Sequence, residues 1–214
     1  MKKCEMKEGT LLTLAMSERR KNEYQFIGYL REKGEFTTFY TDTLFINAKP
    51  VLDIGAYSKI KYSEKNSHEI RLGADMCIVK SLGKDEFINF IENKKCEISN
   101  FQRLKDNRFA IVELRCIEEI ELNKKDEDFN CYLKCIINGK KLRLKIKDYR
   151  WLNYWKNLYK ENPEKVEERK EFYREFFTNR KTYLLLFRYK NQVMERGQNR
   201  FTSDIYWIAS IFYR

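Results

Sequence analysis

Asn138-Gly139 stands between two stretches of alternating apolar and polar residues. A two-residue turn of this composition closes a β-hairpin, because its type I′ geometry needs positive φ at both positions. The turn fixes the register. Counting outward sets Cys135 opposite Leu142, Leu133 opposite Leu144 and Cys131 opposite Ile146, an apolar face to be buried. The other face is basic: Lys134 falls opposite Arg143 and Tyr132 opposite Lys145, with Lys141 and Lys147 at the ends. Like charges directly opposite one another destabilise a bare hairpin, so a neighbour must compensate, and Glu113 on the preceding segment is the candidate.

Around this hairpin the chain reads strand, strand, strand, helix, strand, strand. A first strand is expected over Arg108 to Glu121, where Ala110, Val112, Leu114 and Cys116 alternate with Ile111, Glu113 and Arg115. After the hairpin, Trp151, Tyr154, Trp155, Leu158 and Tyr159 recur at helical spacing, and the stripe resumes with Val166, Phe172, Tyr173, Phe176 and Phe177. Asn162-Pro163 interrupts it, so the expectation is a helix from Tyr149 to Glu161 and a second, or a kinked continuation, from Pro163 to Asn179. Aromatic and β-branched residues then predict strands over Thr182 to Tyr189 and Asp204 to Tyr213, with a polar loop, Lys190 to Ser203, between them. This is the order of an OB-type barrel, in which a helix fills the gap between the third and fourth strands. Ligands of such a barrel sit on its second and third strands, between the first–second and fourth–fifth loops.

Residues 8 to 81 also read as β structure, over Gly9 to Ser17, Glu23 to Arg31, Glu35 to Tyr40, Ala56 to Ser63 and Ala74 to Leu82. A hairpin turn is expected at Glu32-Lys33-Gly34-Glu35 and a longer basic one over Ser17 to Asn22. A helix from Lys84 to Asn93, with Phe87, Phe90 and Ile91 on one side, follows. The expected fold is therefore mainly β with helical insertions: two OB-like β-barrels in tandem, the second with a long helical segment between its third and fourth strands. The domains are expected at residues 1–94, with a connector at 95–107, and at 108–214.

At this point the chain resembles the bacterial dual OB-domain proteins. The likeness is carried by Leu12-Thr13-Leu14-Ala15-Met16-Ser17, by Tyr24-Gln25-Phe26-Ile27-Gly28-Tyr29 and by Lys49-Pro50-Val51-Leu52-Asp53-Ile54. In the second half it is carried by Leu144-Lys145-Ile146-Lys147-Asp148 with Trp151 close behind, and by Trp207-Ile208-Ala209-Ser210-Ile211-Phe212. Two motifs depart from the family pattern: Glu35-Phe36-Thr37-Thr38-Phe39 stands in place of a Trp-Arg pair, and Phe187-Arg188-Tyr189-Lys190 in place of Ser-Leu-Gly. The resemblance implies a two-barrel fold and a nucleic-acid role, and supplies no catalytic residue.

The formal net charge of +11 belongs to no single basic tail, and a compact chain with that excess attracts polyanions, chiefly nucleic acid. The expected interface is Tyr132, Lys134, Lys141, Arg143, Lys145 and Lys147 on the hairpin, with Lys190, Arg196, Arg200 and Phe201 from the fourth–fifth loop. An aromatic ring among cations suits stacking beside a phosphate path. The expected partner is single-stranded DNA or RNA within a bacterial or phage nucleic-acid system. The alternatives are an interaction module that inhibits or assists a nucleic-acid enzyme, and a Mg²⁺-dependent nuclease. For the nuclease, Glu118-Glu119-Glu121 and Asp126-Glu127-Asp128 read as polar turns, and Asp148 with Asp204 is a sharper pair, although a helix N-cap explains Asp148.

No catalytic residue, metal or cofactor is assigned. Glycines are scattered and the phosphate-cradling glycine motifs are absent. The six cysteines show no C-x-x-C, and Cys131 and Cys135 read as reduced core thiols. No apolar run approaches the roughly 20 residues of a membrane span, and Met1-Lys2-Lys3-Cys4-Glu5 lacks a signal peptide's apolar core, so a cytoplasmic location is expected.

Overall fold

The computed structural model describes residues 6–20, 23–41, 45–46, 49–66, 69–95, 108–125, 128–137, 139–196 and 199–214. Of these, 18–20, 23, 45–46, 74, 125, 128, 189–196 and 199–205 are described by their backbone alone. The chain divides into two compact units, residues 1–90 and 91–214. It is mainly β, and each unit has the OB strand order.

In the first unit, strands β1 (Lys7–Arg20), β2 (Glu23–Leu30) and β3 (Glu35–Thr41) form a meander, joined by β6 (Ala56–Asn66) and β7 (Glu69–Ser81) in a closed barrel ordered β1-β2-β3-β7-β6. Alternation is the cause: Phe26, Phe39, Ile60 and Ile70 turn inward and bury against Leu11 and Leu30. Phe26 and Phe39 stack with centroids 5.0 Å apart. Gly34, at φ 67°, supplies the left-handed residue that the β2–β3 turn needs. Between β3 and β6 lie a two-residue ladder, β4 (Phe45–Ile46) with β5 (Lys49–Pro50), and the buried pair Val51 and Leu52. Helix α1 (Lys84–Asn93) follows β7, with the bounds its apolar face predicts.

The second unit repeats the order with one change. Its sheet runs β8 (Phe109–Leu114), β12 (Thr182–Arg196), β13 (Asn199–Tyr213), β11 (Lys140–Ile146), β10 (Asp128–Ile137), β9 (Cys116–Lys125). The two ends of that order, β8 and β9, are consecutive halves of one first strand, interrupted only at Arg115. Hence β8 pairs the fourth strand while β9 pairs the second, as the halves of β1 do in the first barrel. In both units the third and fifth strands pair in parallel.

The hairpin register is the one the turn dictates, including Lys134 opposite Arg143 and Tyr132 opposite Lys145. Gly139 has φ 75°, whereas Asn138 lies outside the described residues. Helices α2 (Tyr149–Glu161) and α3 (Val166–Thr178) fill the interval between the third and fourth strands, separated by a 3₁₀ turn at Pro163–Lys165 that the proline initiates. Trp155, Val166 and Phe177 bury against Cys131, Leu133, Leu144 and Ile146, so the aromatic stripe belongs to the core.

Three expectations are corrected. The stretch Glu118 to Glu121 is strand, as the expected Arg108 to Glu121 segment has it, and not a polar turn; β9 continues past that end to Lys125, because Ile117 and Ile120 keep their places in the core. The segment Lys190 to Ser203 is no loop. The backbone pairs on from Gln192–Ser203 to Arg196–Asn199, extending the β12–β13 hairpin past a register shift at Tyr189/Gln192. The basic Ser17 to Asn22 turn is shorter, since β1 runs to Arg20. Residues 96–107, most of the expected connector, lie outside the described residues, as do Asp126 and Glu127.

Candidate functional site

The outward face of the second sheet can be followed residue by residue, because side chains directly opposite in register point to the same side. One row crosses it. Glu121 pairs with Tyr132, Tyr132 with Lys145, Lys145 with Trp207, Trp207 with Phe187 and Phe187 with Phe109. The apolar neighbours Cys131, Leu133, Ile146 and Ile208 point the other way, into the core.

Cations lie over the rings of this row. The Arg143 guanidinium is 3.7 Å from the Tyr132 centroid and the Lys145 ammonium 5.9 Å. Lys147 stands 4.9 Å over Trp207, and Arg108 5.1 Å over Phe187. Such contacts hold a flat ring and a cation side by side, the pairing that receives a planar π-face together with an anion. Tyr132 and Trp207 are half-buried, whereas Phe187 is buried.

The hairpin end of the row is electrostatically compensated, by residues other than the one expected. Glu113 accepts instead from Lys95, at 2.7 Å. Glu119 accepts from Lys134 at 2.7 Å, and Glu121 accepts from both Lys134 and Arg143 Nε, the latter at 2.7 Å. A bulge in the β9–β10 ladder beside Glu118 lets Glu118 and Glu119 both serve the outer face, and Glu118 takes Lys141 at 2.6 Å. The Lys134 ammonium, aided by Arg143, holds the Glu121 carboxyl below its ordinary range, and Glu119, then Glu121, pushes Lys134 up. Lys145 forms no ion pair among the described residues.

The expected site residues therefore divide. Tyr132, Lys134, Arg143, Lys145, Lys141 and Lys147 share the β10–β11 ribbon, but Lys134, Lys141 and Arg143 are tied to β9 carboxylates. Lys190, Arg196, Arg200 and Phe201 lie on the β12–β13 extension, and their side chains fall outside the described residues. Sequence reasoning missed Trp207 and Phe187 as members of the face, and missed the β9 carboxylates. The carboxylates had a signal, since Glu119 and Glu121 alternate with Ile120 and Leu122. Trp207 had none, because its place depends on parallel pairing across the fold.

Asp148 is a helix cap. The residue is 3% exposed, and its side chain accepts from the Arg150 and Trp151 backbone N–H groups at 3.0 and 3.3 Å and from the Ser210 hydroxyl at 2.8 Å. The side chain of Asp204, its expected metal partner, is outside the described residues. Among the described residues no group of His, Cys, Asp or Glu is arranged to hold a metal ion, and no helix is long and apolar enough to cross a membrane.

No family model matches the chain, and no curated protein matches it in sequence. Among solved structures it is similar to the Ifi202 HINa domain in complex with 20-bp double-stranded DNA, at 10% identity and TM-score 0.40, over 93% of this chain and 96% of that one. It is also similar to a replication protein A heterotrimer bound to single-stranded DNA, at 13% identity and TM-score 0.35, over 85% of this chain and 43% of that one.

Proposed function

We propose that the chain is a non-enzymatic nucleic-acid-binding protein that prefers single strands of DNA or RNA and acts within a bacterial or phage nucleic-acid system, in keeping with its dual OB-domain resemblance. The row of rings and cations across the second sheet carries this reading: Tyr132, Lys145 and Trp207 lie in register, with Lys147 over the indole. The excess of 43 Lys and Arg over 32 Asp and Glu supplies the long-range attraction. The ion pairs that hold Lys134, Lys141 and Arg143 favour a site centred on the β11–β13 seam over one at the centre of the hairpin. At the seam the bases stack on Trp207 while Lys145 and Lys147 face the phosphates.

Fluorescence anisotropy with labelled oligo-dT and oligo-U at low and physiological salt tests this. Trp207→Ala costs about 1–3 kcal/mol of binding if bases stack there. Lys145→Gln with Lys147→Gln flattens the salt dependence by about 0.7 per lost phosphate contact. Tyr132→Ala has the smaller effect, because Arg143, held by Glu121, lies 3.7 Å over its ring, whereas Lys147 stands farther off, at 4.9 Å over Trp207. Parent-like binding by the Trp207 and lysine variants at both salt concentrations overturns the site.

A second reading, a module that binds a nucleic-acid enzyme, is favoured by an aromatic patch on α3. Phe172 is 46% exposed and Tyr213 38%, and Phe176 packs against both, with Arg180 4.4 Å over its ring. Loss of a pulled-down partner with Phe172→Ser, alongside unchanged oligonucleotide binding, supports that reading.

A further inference from the structure

The outward face of the second sheet is graded in charge. Its seam, β11 with β13, presents Lys145, Lys147 and Trp207, while its margin, β9, presents Glu118, Glu119 and Glu121. Three strand steps separate β13 from β9, about 14 Å at the usual spacing. Between them the hairpin cations are already engaged: Lys134 by Glu119 and Glu121, Arg143 by Glu121, Lys141 by Glu118.

A single strand following the seam meets cations and an indole and keeps clear of the margin. A duplex brings a second phosphate strand across its groove, about 12 Å away for the major groove. With one strand on the seam, the other falls on β9, whose carboxylates repel it and hold the neighbouring hairpin cations Lys134, Lys141 and Arg143. We propose that Glu118, Glu119 and Glu121 are specificity-determining residues that exclude duplex nucleic acid from this face and leave it to single strands; the proposal rests on the nucleic-acid reading above.

The competing account makes these carboxylates counter-ions that let Lys134 and Arg143 stand opposite one another in the hairpin. The two accounts differ in what neutralisation does. If the carboxylates only compensate the hairpin, removing them frees its cations for any phosphate, and affinity for single strands and duplexes rises alike. If they exclude duplex, the duplex gains more.

The test measures binding of a labelled 20-nucleotide strand, and of the same strand annealed to its complement, by the full chain and by its E118Q/E119Q/E121Q variant at low salt. The expected result is that the parent favours the single strand and that the variant loses about tenfold of this preference, from the removal of three carboxylate–phosphate repulsions of ordinary surface strength. An unchanged ratio overturns this inference and leaves the function standing, whereas a parent that binds duplex as tightly as single strand overturns this inference together with the single-strand preference and leaves nucleic-acid binding standing. A parent that binds neither overturns both. E119Q alone keeps the test available if the triple variant fails to fold, because Lys134 retains Glu121; its ratio then moves in the same direction by a smaller factor, and no movement overturns the proposal.

Discussion

Replacing Asp148 by alanine separates its capping role from a functional one. The carboxylate accepts four hydrogen bonds: from the Arg150 and Trp151 amides at 3.0 and 3.3 Å, the Ser210 hydroxyl at 2.8 Å and the Arg150 guanidinium at 3.4 Å. Loss of an N-cap costs about 1 kcal/mol, within a range of roughly 0.5–2. Ser210 is fully buried, so its hydroxyl loses its acceptor where no water replaces it, a further cost of about 1–3 kcal/mol. Asp148→Ala therefore destabilises the second unit by about 2–4 kcal/mol, a fall of roughly 6–15 °C in midpoint for a domain of this size. Asp148→Asn keeps an equally good cap and costs about 1 kcal/mol for the lost charge. All three tryptophans, Trp151, Trp155 and Trp207, lie in residues 91–214, so their emission during urea unfolding follows this unit alone. The decisive measurement is the double-mutant cycle with Ser210→Ala. The double variant loses less than the sum of the singles, because Ser210→Ala removes the orphaned hydroxyl. Additive losses, or an Asp148→Ala cost within about 0.5 kcal/mol, the range of ordinary surface substitutions, refute this account of the residue.

Two further outcomes follow from the same interior and surface. Burial of Cys131 and Cys135 pushes both thiols up to about 12, so iodoacetamide at pH 8 labels the exposed Cys77 in the native protein and spares these two until denaturant is added; site-resolved mass spectrometry checks it, and labelling of the buried pair at the rate of Cys77 refutes it. Glu121 has a folded-state pKa below its unfolded value, so its contribution is present above the ordinary carboxylate range and is lost as pH falls through the lowered value. The midpoint difference between parent and Glu121→Gln, small for partly exposed pairs, shrinks as pH falls from 7 to 3, and a difference that grows contradicts the assignment.

Signals that act over a few residues were legible in the chain. Asn138-Gly139 set the β10–β11 register, Asp148 and Pro163 marked helix starts, and alternation located most strands, because turn geometry, capping and the two-residue side-chain period are local properties. The first strand shows where this ends. Its residues read as one segment, and the structure divides it at Arg115 so that β8 joins β12 while β9 joins β10. That choice follows from which strands flank each half in the assembled sheet, which no local pattern encodes. The same holds for the site. Tyr132 and Lys145 were legible as cross-strand neighbours, but the partner beyond Lys145 is Trp207, 62 positions later, set beside it by a parallel pairing that contains no turn. The bare hairpin reads as a basic surface, and the return of β9 sets carboxylates against its cations. Sequence alone determined most of the elements and their faces. Which faces meet was decided by the burial of Cys131, Leu133, Ile146 and Trp155 in one core, since the assembled sheet and its helices cover all of their apolar surfaces at once.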